Sequence, residues 1–404
     1  MTQPGLQPVK VRTLPDAGPS ARTIFWVKFA ISGGLLAGFL LTPKLWLSSR
    51  LYPLVPVFPF LRPLPPPWDR ALFASMLLLS IWILVRPRPP KSIAAFLLLT
   101  AAYSLFDQSR WQPWLYQYLF MLAAVGLSYR RPDDEDRRDS ALESCRWIVA
   151  AVYFWSGVHK ANPSFGDVSF SWMTEPFMKR LPEAANHWIP LLGYAAPVIE
   201  TSIGAGLLTR RFRTAAIIGA LAMHAFILAS IGPLAHNFDS VVWPWNIAMA
   251  FLVVLLFRAP RERRLHWWAG TPLFQRLVLL LFGVAPVLSF VNLMDAYPSF
   301  ALYSGNTNAA TIYMSDEVAG RLPDTLQEQT DVNDSGVDEL SVFDWSFAEL
   351  NVPPYAELRV YRQIGKQVCA FAGFPRDMVL IVQGKSAWIG RRQQYTYDCA
   401  GLAK

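Results

Sequence analysis

The sequence predicts an all-α polytopic membrane bundle of about nine transmembrane helices with a small C-terminal α+β extramembrane domain. Three observations carry this expectation. Of 404 residues, 53% are apolar and only 16% charged, and mean hydropathy is +0.26, whereas soluble domains carry roughly 25% charged residues. The apolar residues fall into runs near the roughly 20 residues that cross a hydrocarbon layer about 30 Å thick. Charge is also uneven: residues 1–296 hold 28 Lys and Arg against 16 Asp and Glu, and residues 297–404 hold 9 against 13. Cations that flank apolar runs mark membrane faces, so the basic balance points to a lipid membrane and not to nucleic acid. A disordered, fibrous or ordinary cytosolic chain is excluded on the same grounds.

In chain order, residues 1–22, with Pro, Gly and scattered charges, read as a disordered cytoplasmic tail. Residues 23–296 read as the bundle, with apolar runs at 24–42, 70–86, 92–107, 112–128, 147–163, 188–208, 214–232, 242–257 and 274–292. The first run has no small-residue cleavage site before it and reads as an anchor. With the N-terminus cytoplasmic, 20 Lys and Arg, Lys28 among them, fall on cytoplasmic segments and 8 on the other side, which is the bias that orients membrane proteins. Nine spans then place residues 297–404 outside. The prolines of residues 43–69 forbid a regular helix there, leaving a loop that lies on the bilayer or folds against the bundle. Residues 161–187, with Trp172, Phe177 and Met178 beside Lys179 and Arg180, read as an interfacial segment.

Beyond 297, residues 315–350 are acidic, with Arg321 the only cation. Leu358, Val360, Tyr361, Ile364, Val368 and Phe371 have helical spacing, and residues 378–398 read as two strands about a Gln383-Gly384-Lys385 turn. Cys369 and Cys399 lie in this domain, and Cys145 is the only other cysteine. An exoplasmic domain makes a Cys369–Cys399 disulfide the expectation; two unrelated buried thiols are the alternative.

Ionisable residues inside a bilayer cost about 2.5–3.5 kcal/mol each and therefore face a partner or a polar cavity. Four qualify: Asp107, Lys160 beside His159, Glu200 and His224. Each also has a structural reading. Asp107 is a good N-cap for the following segment, Lys160 can snorkel to headgroups, and Glu200 and His224 can form one buried pair. Tyr153, Ser156, Gly157 and Lys160 share a helical face. That face offers a phenol, a hydroxyl and an amine, and Gly157 permits close approach of a helix or a flat ligand. Lys160 is the candidate base.

These residues resemble a known enzyme. Asp107, Trp111, Tyr116 and Tyr118 are spaced as in a segment of vitamin K-dependent gamma-carboxylase. Tyr153-Phe154 followed by Gly157-Val158-His159-Lys160 is similar to the stretch that carries its catalytic lysine, matched here by Lys160. Glu200, Gly204, Leu207, Leu208, Arg211 and His224 fit the broader horizontally transferred transmembrane domain family. The resemblance spans roughly residues 20–295. It implies a membrane enzyme with a lysine base acting on a quinol or prenylated lipid, with a reduced quinone as co-substrate and no tightly bound cofactor. It also implies a bacterial inner-membrane setting. Gln112-Pro113-Trp114 replaces the carboxylase's Asn-Asn-His, which argues against true glutamate carboxylation. An alternative is a terpene cyclase (a lyase), with Glu200 or Asp107 as acid. Trp111, Trp114, Tyr116, Tyr118, Tyr153 and Trp155 would then stabilise a carbocation through their ring faces; interfacial packing is the plainer reading of these aromatics. A non-enzymatic redox or lipid-handling subunit is the third reading. His159, His187, His224, His236 and His266 lack compact ligand spacing, so no metal is expected. No phosphate loop, Ser-His-Asp signature or internal repeat is present.

Overall fold

A computed structural model describes residues 19–131, 133–179, 182, 186, 188–258, 272–385 and 392–403. Most of the expected tail, Arg180, His187, and the segment holding Arg261, Arg263, Arg264 and His266 lie outside the described residues. The chain is mostly helical. Its principal helices are α1 (Pro19–Leu41), α2 (Trp68–Val85), α3 (Pro90–Ser104), α4 (Pro113–Ser128) and α5 (Glu135–Lys160), followed by α6 (Ser171–Met178), α7 (Ile189–Leu208), α8 (Arg213–Ile231), α9 (Val242–Phe257) and α10 (Leu273–Val291). The last is α-helical only to Val278, then winds as a π-turn to Val284 and a tight 3-10 segment to Val291.

Helix ends follow local chemistry. Proline opens or nearly opens α3, α4 and α7, where its missing N–H costs nothing. Asp134 caps α5 by accepting from the Arg137 N–H at 3.1 Å, and α10 ends on Asn292 in the left-handed region. Among the described residues, five helices are long and apolar enough to cross a membrane: Pro19–Leu41, Trp68–Val85, Leu191–Leu208, Arg213–Ile231 and Leu273–Val291. Helices α3, α4 and α9, of 15, 16 and 16 residues, are shorter, and α5 carries most of its charges in its first half, with Lys160 in its last turn. Multiple membrane spans and a small C-terminal sheet region thus match the sequence reading at that coarse level.

Lys28, counted among the cytoplasmic cations, does not reach solvent. It is fully buried inside α1, and its Nζ donates to the carbonyls of Ile83 at 2.7 Å, Leu84 at 3.2 Å and Arg86. An ammonium satisfies the orphan carbonyls at a helix C-terminus and opposes the dipole there, so Lys28 ties α1 to the end of α2. The 43–69 loop folds against the bundle through Leu45, Trp46, Tyr52 and Val55, all fully buried, while Phe58 and Phe60 stay exposed. In the 161–187 region, α6 packs the Trp172 ring on His236 at 4.1 Å.

The C-terminal region holds a five-stranded antiparallel sheet ordered β2-β3-β1-β4-β5, formed by β1 (Ala309–Met314), β2 (Thr330–Val332), β3 (Asp338–Ser341), β4 (Met378–Gln383) and β5 (Gln394–Asp398). Helices α11 (Val342–Leu350), α12 (Leu358–Val368) and α13 (Cys399–Ala403) accompany it. Strands β4 and β5 pair from Val379↔Asp398 to Gln383↔Gln394, so the connection is longer than the expected tight turn. The acidic 315–350 stretch contributes β2, β3 and α11, which its charge pattern concealed. Cys369 and Cys399 form a disulfide between the end of α12 and the start of α13.

This sheet region seats on one end of the bundle through polar contacts to its loops. Glu349 accepts from the Leu51 and Tyr52 N–H groups at 2.6 and 2.7 Å. Arg359 donates to Gln108 at 2.9 Å and pairs with Asp295. Asn351 donates to the Leu41 carbonyl and to Ser240.

Candidate functional site

The site is built where α5 crosses α7. Two glycines permit the crossing. A Cβ on Gly157 would lie 2.4 Å from the Thr201 nitrogen and 2.8 Å from the Pro197 oxygen, and one on Gly204 would lie 2.6 Å from the Phe154 nitrogen. Backbone on backbone at these separations leaves no room for a side chain. Gly157 therefore admits a helix and not a flat ligand. The close approach sets Lys160, in the last turn of α5, against Glu200 of α7. Lys160 Nζ lies 2.6 Å from Glu200 Oε2, with side chains 14% and 10% exposed. Nζ also donates to Ser156 Oγ at 2.9 Å and stands 5.7 Å from the Phe165 ring. In this pair the ammonium is the donor and Glu200 the acceptor.

About two turns back along the same face, Tyr153 Oη meets Nε2 of His224 from α8 at 2.5 Å. His224 Nδ1 meets Asn246 Oδ1 of α9 at 2.7 Å. All three are buried, at 2%, 5% and 7% exposure. Glu200 lies within electrostatic range of both Tyr153 and His224, and Lys160 within range of His224. The two polar groups share one face of α5 and together join it to α7, α8 and α9. A direct Glu200–His224 pair is not formed: Lys160 takes the carboxylate and Tyr153 takes the imidazole.

The remaining sequence candidates lie elsewhere. Asp107 pairs with Arg50 at 2.5 Å, both side chains fully buried, and accepts from the Ser109 and Val55 N–H groups. It caps a turn and anchors the 43–69 loop. His159 points to α10, where Nε2 meets Ser289 Oγ at 3.2 Å and the ring stacks on Phe290. Trp111 donates to the Ser104 carbonyl at 3.1 Å. Trp114 covers Gly38 and Tyr118 covers Gly34, both on α1, while Tyr116 stacks on Phe282 at 4.8 Å. These four aromatics pack helices and the loops beside them. Ser156, read from the sequence as the hydroxyl of this face, bonds Lys160; Asn246 was missed, although it interrupts an apolar run as visibly as His224 does. Among the described residues, no group of three or more His, Cys, Asp and Glu converges as for a metal.

Gly157→Ala is expected to push α5 from α7 and lower the detergent-solubilised protein's unfolding midpoint, at a cost of about 1–3 kcal/mol typical of overpacking. Gly33→Ala, whose Cβ would meet nothing within 4 Å, is the control. Equal midpoints for the two variants would refute the tight crossing.

A family model described as methylamine utilisation protein MauE matches residues 138–241, roughly a quarter of the chain. The matched segment runs from α5 to the threshold of α9 and contains Tyr153, Lys160, Glu200 and His224. No curated protein and no solved structure matches the chain. The family match overturns the gamma-carboxylase and horizontally transferred transmembrane domain resemblance. The motif that carried it, Tyr153-Phe154 with Gly157 to Lys160, falls inside a segment similar to a different membrane protein family. The geometry supplies the physical reason: Gly157 is demanded by a helix crossing, and the Asp107–Tyr118 motif by loop anchoring and packing, so neither needs carboxylase chemistry.

Proposed function

We propose that the chain is a nine-helix membrane protein whose bundle exchanges protons with a lipid-soluble hydroxyl compound of the quinol class, in the service of methylamine utilisation. The Lys160–Glu200 ion pair is the observation that carries this reading. Charged groups in the apolar part of a bundle are costly and mark proton or substrate pathways, and here a phenol, an imidazole and an amide extend the pair inward. Lys160 ends α5 on the side where the C-terminal sheet region seats, so the polar cluster is approached from that end. Helices α3, α4, α5 and α9 complete the nine crossings with short or partly polar segments shielded by their neighbours. The N-terminus is cytoplasmic and the sheet region exoplasmic, in a bacterial inner membrane. The family match lends the physiological setting, since the segment it covers holds four of the cluster's residues. Cyclisation of an isoprenoid draws less support, because Trp111, Trp114, Tyr116 and Tyr118 are spent on packing and cannot wall a carbocation pocket.

The test is mass spectrometry of lipids that copurify with the detergent-extracted protein, compared with Glu200→Gln. A quinone enriched with the wild type and depleted in the variant is the expected result. A wild-type extract with no quinone above the bulk membrane level ends the quinol assignment.

A further inference from the structure

The bond pattern of the inner cluster defines a direction for the proton, and this deepens the proposed reading. Asn246 Nδ2 donates to the Val242 carbonyl one turn earlier, at 2.8 Å, which turns Oδ1 toward His224 Nδ1 at 2.7 Å. A carbonyl oxygen only accepts, so the hydrogen between them sits on Nδ1. In a neutral imidazole the other nitrogen is then the acceptor. Tyr153 Oη, 2.5 Å from Nε2, must be the donor. The phenol's single proton is committed inward, and its oxygen can only accept from anything else that reaches it.

We infer that Asn246 is a positioning residue that fixes the His224 tautomer and thereby makes Tyr153–His224 a proton acceptor for a substrate hydroxyl. The step balances without an electron leaving any group. The substrate O–H bond breaks and its proton forms a new O–H on Tyr153, while the proton Tyr153 held moves to His224 Nε2. The product is a substrate oxyanion and an imidazolium that still donates from Nδ1 to Asn246. Burial of all three inner residues keeps water from scrambling the pattern. The compound recognised is a hydrogen-bond donor, which within the quinol reading means the reduced, hydroxyl-bearing form.

The experiment uses the full chain in detergent micelles, labelled with 15N-histidine, with His224 identified by the signal lost in His224→Gln. The wild type is expected to show the Nδ1–H tautomer, Asn246→Leu to lose it, and Asn246→Asp, which keeps an acceptor, to restore it. Binding of ubiquinol-1 is expected to exceed that of its dimethyl ether by about tenfold, the worth of one hydrogen bond, with the preference lost in Asn246→Leu. An Nε2–H tautomer in the wild type overturns the inference, as does an unchanged tautomer in Asn246→Leu. If Asn246→Leu does not fold, the wild-type and Asn246→Asp spectra still decide the tautomer. No ubiquinol-1 binding by a wild type with the Asn246-dependent Nδ1–H tautomer upholds the positioning role and overturns the quinol reading.

Discussion

Lys160→Ala is expected to abolish proton exchange and to destabilise the bundle by about 3 kcal/mol, the loss that follows when one partner of a buried ion pair is removed. From sequence alone, a lysine near a helix end contributes little packing, and Ala would be tolerated. The structure changes that expectation, because Glu200 sits 2.6 Å away with its side chain 10% exposed and would be left as an uncompensated carboxylate. The double variant Lys160→Ala/Glu200→Gln should recover most of the stability and none of the function. Thermal unfolding of the two single variants and the double, with ubiquinol-1 binding in parallel, closes a double-mutant cycle. Additive losses would show that the two side chains do not interact. Lys160→Arg tests function separately: guanidinium keeps the positive charge but differs in shape and cannot give up its proton. Retained stability with lost proton exchange is its expected signature.

The larger stability effect belongs to Arg50. Arg50→Leu leaves Asp107 without its cation, although neither side chain has any solvent exposure. It also removes donors to the carbonyls of Tyr52, Lys44, Leu45 and Pro53. A cost of about 3–5 kcal/mol is expected from the broken pair alone. The loop from 43 to 69 should loosen with it, and because Glu349 grips the Leu51 and Tyr52 N–H groups, the sheet region should loosen in turn. Limited proteolysis should then cut the loop first, at protease levels the wild type withstands. An unfolding midpoint within a degree or two of the wild type would refute the role given to this pair. Arg50→Leu/Asp107→Leu, which removes both charges, should recover part of the loss but not the carbonyl bonds.

The sequence by itself determined the helices. Eight of the nine apolar runs that it showed became helices with ends within about five residues of those expected, from Pro19–Leu41 to Leu273–Val291, because in a segment this apolar the backbone satisfies its own polar groups only by coiling; the run at 147–163 is instead the second half of a longer helix that starts at Glu135. It also marked Lys160, Glu200 and His224, since an ionisable group in an apolar run stands out without any knowledge of neighbours. Partnership was out of its reach. Whether Glu200 meets His224 or Lys160 depends on how α5 and α7 cross, and that rests on Gly157 and Gly204, two residues 47 positions apart that carry no chemistry of their own. Asp107 illustrates the converse. It looked like a bilayer acid, yet Arg50, 57 residues earlier, folds back to claim it, and no local pattern encodes that return. Lys28 was read only as one more cation of the basic side, and its role as a buried cap on another helix was not legible. Asn246 went unread because an amide signals little until the imidazole it orients is beside it. Periodicity reports what a segment does alone, whereas a buried polar group is defined by what reaches it, and only packing decides that.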